Sequence, residues 1–336
     1  MENKERDKIL LSHGSGGKEM ASLIKNLFLK RFGNPILNEL TDSAILEVRK
    51  KKICFTTDSY VVKPLFFPGG NIGVLAINGT VNDLAAMGAR PLYISCSFII
   101  EEGFDIETLD KILISMSKAS KKAGVKIVTG DTKVVEKGNA DKLFINTSGI
   151  GISEREINLS KKNIEPGDKI LINGGIGLHG IAVLSEREGF KTNIRSDCAP
   201  LWDLVKRIIS KGGVKFLRDP TRGGVAAVLC EIVENSNFGI KILEEKLPIP
   251  KGVKSFSEIL GLEPLYLANE GKIIAIVRED EASSILNIMK KHPLGKDAAI
   301  IGEITKENKG RVVLETLIGG LRFIDRLVGE QLPRIC

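Results

Sequence analysis

The chain has 336 residues, of which 43% are hydrophobic and 27% charged, a composition that is typical of globular proteins and excludes disordered or fibrous ones. This length favours two domains, each able to bury a core. Five cysteines are scattered without a C-x-x-C pair, which argues against a zinc cluster and a disulfide-rich secreted scaffold. The charged N-terminus leads into no apolar segment, so we expect a cytoplasmic protein without a signal peptide.

The net charge of +7 could suit a polyanionic partner. The lysines are dispersed, however, and only 5% of the residues are aromatic, so the pattern of a nucleic-acid-binding module is missing. We expect no nucleic acid as a partner, and nucleotide phosphates as the better target for the basic surface.

One uncharged stretch, between Lys63 and Asp83, is long enough to span a bilayer. It also contains several prolines and glycines and three asparagines, which are costly to place in hydrocarbon. We therefore predict a loop followed by a buried helix, and no interaction with a membrane.

Apolar periodicity in the first half predicts strands and one clear amphipathic helix. The helix covers residues 105–122, with Asp105 as its N-cap and Gly124 at its end. Its apolar stripe consists of Ile106, Leu109, Ile112, Leu113 and Met116. The predicted strands are residues 52–58, 93–100, 126–129 and 143–152.

A polar segment at residues 153–167, which ends in a Pro-Gly turn, marks a domain boundary. The second half then repeats the alternation of strands and helices. Its predicted strands are residues 169–172, 240–243, 272–277, 299–304 and 312–316, and its predicted helices are residues 180–188, 201–210 and 224–235.

The pattern as a whole predicts an α/β (α+β) protein with two tandem domains and a flexible C-terminal tail. The predicted divisions are a glycine-rich N-terminal arm at residues 1–40, a first domain at 41–155, a second domain at 166–324 and a mobile tail at 325–336.

Four aspartates of the first half lie at predicted strand ends or turns, namely Asp42, Asp58, Asp83 and Asp131. Magnesium takes hard oxygen ligands and bridges carboxylates to phosphate oxygens, so a convergent set of this kind suits a metal–nucleotide site. Aspartate is also common in turns and caps, which is the alternative for each residue taken singly.

Two loops are rich in glycine. In the SHGSGGK segment, the backbone amides of Gly14, Gly16 and Gly17 could hold phosphates. The spacing is not that of a P-loop, and a flexible arm is the alternative. The second loop, Gly175 to Gly180, matches G-x-G-x-x-G, but no second strand that ends in an acid follows. We therefore predict a tight turn there instead of a dinucleotide site.

The DPTRGG segment opens a helix in the second half. Asp219 or Thr221 can cap this helix through its side-chain oxygen. Arg222 is different, because the helix dipole disfavours a cation at a helix N-terminus. An anion bound by the guanidinium would account for the arginine.

The chain ends in QLPRIC. Pro333 keeps this end extended, and a terminal cysteine is not a prenylation site, which needs cysteine fourth from the end. A free thiol is an oxidation liability in a protein that does not use it. The α-carboxylate should raise the pKa of the Cys336 thiol, with Arg334 partly compensating, so Cys336 is a poor spontaneous nucleophile.

The segments LTDSAIL, TTDSY, VNDLAAMGARP, TGDTK and DPTRGG occur in one order over most of the chain. That order resembles the superfamily of aminoimidazole ribonucleotide synthetase, selenophosphate synthetase and thiamine monophosphate kinase. Within it, the SHGSGG start, the ANEG segment and the PRIC end resemble the HypE family of hydrogenase maturation factors. The resemblance implies binding of ATP and Mg²⁺, and a homodimer formed by a β-barrel between the first domains.

The resemblance also implies roles for individual residues. Lys133 in TGDTK and Glu270 in ANEG would orient and deprotonate the reacting group; a surface lysine and a solvated loop glutamate are the alternatives. The Mg²⁺ ligands would be Asp42, Asp58, Asp83 and Asp131. The nucleotide-binding residues would be Gly14, Gly16, Gly17, Thr57, Asn82, Asp219, Thr221 and Arg222.

The implied reaction takes place on Cys336. A partner carbamoyltransferase loads the thiol as an S-carboxamide, ATP phosphorylates the carboxamide oxygen, and loss of phosphate leaves a thiocyanate. The cyanide then passes to the iron of a [NiFe]-hydrogenase precursor on an iron-carrying scaffold complex. Because Cys336 must visit both its partner and its own ATP site, we expect more than one tail conformation.

The alternatives are a small-molecule kinase or selenophosphate synthetase of the same superfamily, or a non-catalytic nucleotide-binding scaffold. Selenophosphate synthetases normally carry a reactive cysteine or selenocysteine in the N-terminal glycine-rich loop, and SHGSGG has none. A kinase would have no need of Cys336.

Overall fold

The structure is a computed structural model that describes residues 17–32, 34–48, 51–153, 158–329, 332 and 334–336. Two of the predicted phosphate-binding glycines, Gly14 and Gly16, lie outside these residues. In the part of the chain that it describes, no helix combines the length and the apolar character needed to cross a membrane.

The first domain is built on a five-stranded sheet. From one edge to the other, its strands are β1 (Ala44–Val48), β2 (Lys51–Tyr60), β7 (Leu143–Ser153), β5 (Ala89–Glu101) and β6 (Lys126–Val135). Neighbouring strands are antiparallel, except that β5 and β6 are parallel. A short ribbon precedes β5, and it consists of β3 (Phe66–Phe67) and β4 (Gly70–Asn71).

In the described part of the chain, four helices precede or connect these strands. They are α1 (Lys18–Leu23) and α2 (Leu29–Phe32), joined by a π-helical turn (Ile24–Phe28), then α3 (Ile72–Ala86) and α4 (Ile106–Ala123). Almost every residue of α3 is buried, which confirms the buried helix predicted after the uncharged loop.

Helix α4 follows its predicted signals at both ends. The Asp105 carboxylate accepts a hydrogen bond from the Thr108 amide at 2.7 Å, and the helix ends at Gly124 in the left-handed conformation (φ 72°). Ile112 and Met116 of the predicted stripe are buried. The other predicted stripe residues include Ile106 and Leu113, which are exposed, because only a narrow part of the stripe faces α3.

The second domain is built on a seven-stranded sheet that is also mostly antiparallel. In spatial order, its strands are β14 (Leu321–Ile324), β13 (Val312–Glu315), β10 (Gly239–Leu243), β12 (Ala299–Thr305), β8 (Lys169–Ile172), β11 (Ile274–Val277) and β9 (Val214–Arg218). Its helices are α5 (Leu178–Glu188), α6 (Trp202–Lys211), α7 (Gly224–Val233), α8 (Lys251–Leu260) and α9 (Glu279–Lys290).

Both faces of this second sheet are covered by helices. Ile170 and Ile172 of β8 join the core formed with α7, whereas Leu171 between them joins the core formed with α6 and α9. Because side chains alternate along a strand, a strand covered on both faces reads as a continuous apolar run. This explains why KILI and IAIV were recognisable as strands in the sequence.

Helix α3 links the two domains. Ala85 and Ala86 at its end lie in the same core as α6 and α9 of the second domain. The side-chain amide of Asn82 donates to the backbone oxygens of Ala199 and Glu270, and its oxygen accepts from the amide of Leu201. One buried side chain therefore fixes two loops of the second domain against the first.

Candidate active site

Buried carboxyl groups from both domains meet beside helix α3. Burial, together with the nearby carboxylates of Asp219, Asp42 and Asp58, raises the pKa of Asp83 well above its usual range. Burial also raises the pKa of Asp42, in spite of Arg218, and that of Asp219 to about 6. The structure thus brings together three of the four predicted metal ligands, Asp42, Asp58 and Asp83, and adds Asp219.

Two side chains, those of Thr56 and Arg218, hold this acidic cluster in place. The Thr56 hydroxyl lies 2.7 Å from Asp83 Oδ2 and 3.0 Å from the backbone oxygen of Asp42. Arg218 at the end of β9 pairs with Asp42 at 2.7 Å and with Glu231 at 3.0 Å. One oxygen of Asp42, Oδ2, is buried without a hydrogen-bond partner, so the cluster retains an unsatisfied acceptor.

The cluster is not a preformed metal cage. Among the described residues, no three histidine, cysteine, aspartate or glutamate side chains are already placed to hold one metal ion. Mg²⁺ needs only one or two protein carboxylates when phosphate oxygens and water complete its octahedron. The carboxylate chemistry therefore fits Mg²⁺ that arrives together with a nucleotide.

Asp131 and Lys133 lie elsewhere on the first sheet. They form an ion pair at 2.7 Å, and both side chains are exposed. Asp58 lies on β2 and Asp131 lies on β6, and strands β7 and β5 run between them. At the usual strand spacing, β2 and β6 are therefore about 14 Å apart. Within one chain these two predicted residues do not reach the acidic cluster.

Thr57 and Gly17 also lie apart from the cluster. Thr57 alternates with Asp58, so it points to the opposite, exposed face of the sheet, where its hydroxyl lies 3.0 Å from that of Ser148. Gly17 precedes α1, whose first amide, at Lys18, donates to the backbone oxygen of Leu327. Within one chain, Thr57 and Gly17 therefore do not lie at the acidic cluster, where the predicted nucleotide contacts would place them.

The prediction that Asp219 or Thr221 caps the helix after DPTRGG is wrong. Helix α7 begins with Gly223 as its N-cap in the left-handed conformation, and no side chain caps it. Asp219 and Thr221 are thus not used as helix caps. Gly224 also has a positive φ of 63°, and a Cβ atom there would lie 2.5 Å from the backbone oxygen of Leu265, so only glycine allows this close approach.

Glu270 of the ANEG segment lies at the floor of the site. It is 2% exposed, and its Oε1 atom has no hydrogen-bond partner. Burial raises the pKa of its carboxyl group well above the usual range, and so do Asp219, Asp197 and Asp58. A buried carboxyl group with a raised pKa and a vacant oxygen is a good candidate for a general base or acid.

Asp197 holds the backbone of the ANEG segment. Its two oxygens accept from the amides of Glu270 at 3.1 Å and Gly271 at 3.2 Å, and Lys272 pairs with it at 2.9 Å. Any side chain at Gly271 would collide with the backbone oxygen of Asp197. Asp197 therefore fixes the position of Glu270. The sequence did not indicate this role of Asp197, because the segment that contains Asp197 matches no motif.

The glycine-rich loop before α5 also packs against the ANEG segment. The Gly177 amide donates to Asn269 Oδ1 at 2.7 Å, and the Gly180 amide donates to the backbone oxygen of Ala268 at 3.0 Å. Gly177 has a positive φ of 81° and starts the helix. The structure therefore confirms a tight turn at this loop.

The end of the chain docks into this site. Ile335 is 5% exposed within the core of the first domain, and Cys336 packs against the same core. Loss of solvent raises the pKa of the Cys336 thiol to about 12, in spite of Arg222, and Glu270, Asp58 and Asp219 raise it further. Cys336 is thus a poor nucleophile, as the sequence predicts, although burial is the main cause.

Arg222, and not Arg334, is the cation that faces the thiol. The Cys336 thiolate is the largest influence on the pKa of the Arg222 guanidinium, and it raises that pKa. Arg334 points away and pairs with Asp141 at 2.5 Å and with the backbone oxygen of Val61 at 2.7 Å. The predicted compensation of the thiol by Arg334 is therefore wrong.

Comparison with known proteins supports one family. Sequence models of the AIR synthase related proteins match residues 40–153 (N-terminal domain) and 165–315 (C-terminal domain). The carbamoyl dehydratase HypE of Bradyrhizobium diazoefficiens is 52% identical over 97% of this chain and 95% of its own.

Solved structures agree with these sequence matches. A HypE–HypF complex contains a chain with a TM-score of 0.86 and 52% identity, over 91% of this chain and all of that one. A HypE in complex with ATP has a TM-score of 0.82 and 47% identity, over 98% of this chain and all of that one. This chain therefore belongs to the HypE family of carbamoyl dehydratases, which are AIR synthase related proteins.

Proposed function

We propose that this enzyme acts in [NiFe]-hydrogenase maturation and dehydrates an S-carboxamide on its own Cys336 to a thiocyanate, at the expense of ATP. The observation that carries the proposal is the docked end of the chain. The Cys336 thiol lies close to Arg222 and within electrostatic reach of Glu270, Asp58 and Asp219. A terminal residue without a function would have no reason to lie among these groups.

The chemistry converts R–S–C(=O)–NH₂ into R–S–C≡N. ATP supplies the phosphoryl group that makes the carboxamide oxygen a leaving group, with release of ADP. The nitrogen gives up one proton as the oxygen–phosphorus bond forms and a second as the carbon–oxygen bond breaks. Phosphate leaves with the electron pair of that bond, and the nitrogen lone pair completes the triple bond.

Glu270 is the residue that we assign to proton removal. Its vacant Oε1 atom can accept a hydrogen bond from the carboxamide NH₂ group. Its raised pKa makes it a stronger base than an ordinary carboxylate. Arg222, which lies close to the same thiol, can neutralise an anion that forms next to the sulfur.

Mg²⁺ would be held by Asp42, Asp58 and Asp83, with Asp219 close to them. Their raised pKa values show that the cluster carries more negative charge than its buried surroundings stabilise. Bound Mg²⁺ would offset this charge and neutralise the phosphate oxygens. Thr221 and the amides of the DPTRGG turn, together with Gly14, Gly16 and Gly17, are proposed to contact the nucleotide.

A homodimer would account for Asp131, Lys133 and Thr57. These residues lie on the outer face of the first sheet, where Phe55, Ile150 and Tyr93 form an apolar row across three strands and are about 40% exposed. We propose that a second copy packs on this face. Asp131 and Lys133 of one copy would then complete the site of the other.

The proposed partners follow from the two ends of the reaction. A carbamoyltransferase must load Cys336, and an iron-carrying scaffold complex must accept the cyanide. The solved complex of a homologous HypE with HypF supports a direct partner in the maturation pathway. The proposed compartment is the cytoplasm, with no nucleic acid or membrane as a partner.

The proposal is tested by mass spectrometry of the C-terminal peptide after incubation with the carbamoyltransferase, carbamoyl phosphate and ATP. We expect carbamoylation of Cys336 and then the ATP-dependent loss of one water from the same residue. Cys336→Ser is the matched control and should show neither change. An unmodified thiol, under conditions that carbamoylate a homologous HypE, would refute the proposal.

A further inference from the structure

The last three residues are held through their backbone. The carbonyl oxygen of Arg334 accepts from the Lys63 amide at 3.1 Å and from the Arg187 guanidinium at 2.9 Å. A terminal carboxylate oxygen of Cys336 accepts from the Val61 amide at 3.2 Å. Between them, the carbonyl oxygen of Ile335 accepts from a side chain of the second domain, His179.

His179 is fixed in one orientation. Its Nε2 atom lies 2.8 Å from the oxygen of Ile335, and a carbonyl can only accept, so Nε2 carries the proton. Nδ1 lies 2.8 Å from the hydroxyl of Ser196, which then donates to it. Burial lowers the pKa of His179 and favours this neutral form. The edge of the ring also packs against Phe67 at a centroid distance of 5.3 Å.

The segment that orients His179 also holds Glu270. Ser196 is anchored by its amide, which donates to the backbone oxygen of Pro68 at 2.7 Å. The next residue, Asp197, binds the amides of Glu270 and Gly271. Ile335 and Glu270 are therefore connected through His179, Ser196 and Asp197, and each of these links is short and buried or half-buried.

We propose that His179 is a positioning residue, which sets the register of the docked tail so that the group on Cys336 faces Glu270. The inference rests on the proposed dehydration reaction and adds a residue to it. His179 does not touch the reacting atoms. Among the other anchors of the last three residues, residues 61–63 and Asp141 belong to the first domain, and Arg187 of α5 binds the oxygen of Arg334. His179 differs from them because it ties the tail, through Ser196, to the segment that holds the base.

The test compares His179→Gln with His179→Asn. A glutamine amide can place a donor near the position of Nε2 and keep the bond to Ile335, whereas asparagine is too short to reach that position. Carbamoylation should proceed at no less than the wild-type rate in both variants, because it takes place on the undocked tail. Thiocyanate formation from the carbamoylated protein should fall about tenfold in His179→Asn, as expected for the loss of one buried hydrogen bond, and stay within a few-fold in His179→Gln.

A second readout does not depend on the reaction. Alkylation of the unmodified Cys336 by iodoacetamide, followed in the C-terminal peptide, reports how often the tail leaves its site. It should be about tenfold faster in His179→Asn than in the wild type and nearly unchanged in His179→Gln. If the wild type formed no thiocyanate, the proposed function would be refuted. The alkylation rates would still show whether His179 holds the tail in its docked position.

Ser196 provides a milder pair of variants in case the substitutions of His179 do not fold. Ser196→Ala removes the hydroxyl that orients the ring, and Ser196→Thr retains it. Thiocyanate formation should slow in Ser196→Ala and recover in Ser196→Thr. The inference would be overturned if His179→Asn formed thiocyanate and was alkylated at the wild-type rates. If only Ser196→Ala folds, the same result in that variant would overturn it.

Discussion

The Glu270 carboxyl group is buried, has an oxygen without a partner and lies near three other carboxylates. Such a group is costly to ionise, so its position is explained by chemistry and not by stability. Asp197 and Asn82 bind its backbone, which leaves the side chain free to face the docked Cys336. The same properties predict how activity and stability respond to substitution.

Glu270→Gln should reduce thiocyanate formation by about 10²–10⁴-fold, as for the loss of a general base, without preventing carbamoylation of Cys336. In the wild type, thiocyanate formation should increase with pH as Glu270 ionises, since its pKa lies well above the ordinary value of 4.5. The pH–rate profile of the single-turnover reaction measures this. Activity of Glu270→Gln close to that of the wild type would rule out Glu270 as the base.

The same substitution should stabilise the protein above pH 4.5. Because the pKa of Glu270 is raised on folding, the folded state retains a proton that the unfolded state releases, and stability falls as the pH rises. Glutamine removes this effect, so Glu270→Gln should have the higher Tm at pH 7. Glu102→Gln, at an exposed position, is the control and should leave both Tm and activity unchanged.

For individual residues, the sequence predicted which side chains carry the chemistry better than it predicted which residues those side chains contact. Asp42, Asp58, Asp83 and Arg222 were recognisable because their motifs occur in a fixed order. The three histidines match no motif spacing, so His179 gave no signal. Its environment is formed by Ser196 and Ile335, which are distant in sequence, and such contacts follow only from the tertiary structure.

At the scale of elements, the outer face of the first sheet is the feature that a single chain leaves unexplained. The row of Phe55, Ile150 and Tyr93 is apolar and exposed, and Asp131 and Lys133 lie on the same face. Ile150 occupies the middle strand of this row. A charge at that position should therefore disrupt the proposed dimer without affecting the core of the chain.

Ile150→Lys should convert the proposed dimer to a monomer, as measured by light scattering coupled to size-exclusion chromatography. Thiocyanate formation should be lost with it, because the monomer lacks Asp131 and Lys133 of the second copy. The control is Ile259→Lys, at an exposed position on α8, which should remain dimeric and active. Mixing Cys336→Ser with Lys133→Ala subunits should restore activity, and a fully active Ile150→Lys monomer would contradict the shared site.

Sequence patterns predicted helices and strands well where a single feature, such as an apolar run or a clear cap, marked them. The strand at Lys169–Ile172 and the ends of α4 were predicted because a continuous apolar run and clear caps mark them. Among the described elements, the sequence analysis missed α1, α2, β1, β3, β4, β9, β14, α8 and α9. The strand Leu321–Ile324 is mostly exposed and short, and helix Glu279–Lys290 has a polar composition, so tertiary packing decides their structure.

At the scale of the whole molecule, the proposed reaction requires the two domains, the tail that carries Cys336 and a partner to act in sequence. Helix α3 and its Asn82 hold the domains together at the site, and the tail closes over it. The docked tail is the placement that the proposed dehydration needs. The undocked placement, which carbamoylation would need, stays a prediction. The fold class and family were predictable because the motifs extend over most of the chain. A tail that visits the ATP site was expected from the resemblance alone, whereas its backbone contacts were not predictable, since no local pattern encodes them.

The most direct measurement follows the carboxamide oxygen. Cys336 is carbamoylated with ¹⁸O in the carboxamide, the protein is separated from its partner, and ATP is added in ordinary water. If the carboxamide oxygen is phosphorylated and then expelled, the ¹⁸O label must appear in inorganic phosphate, in proportion to the thiocyanate formed on Cys336. Phosphate without ¹⁸O, formed alongside thiocyanate, would contradict the account.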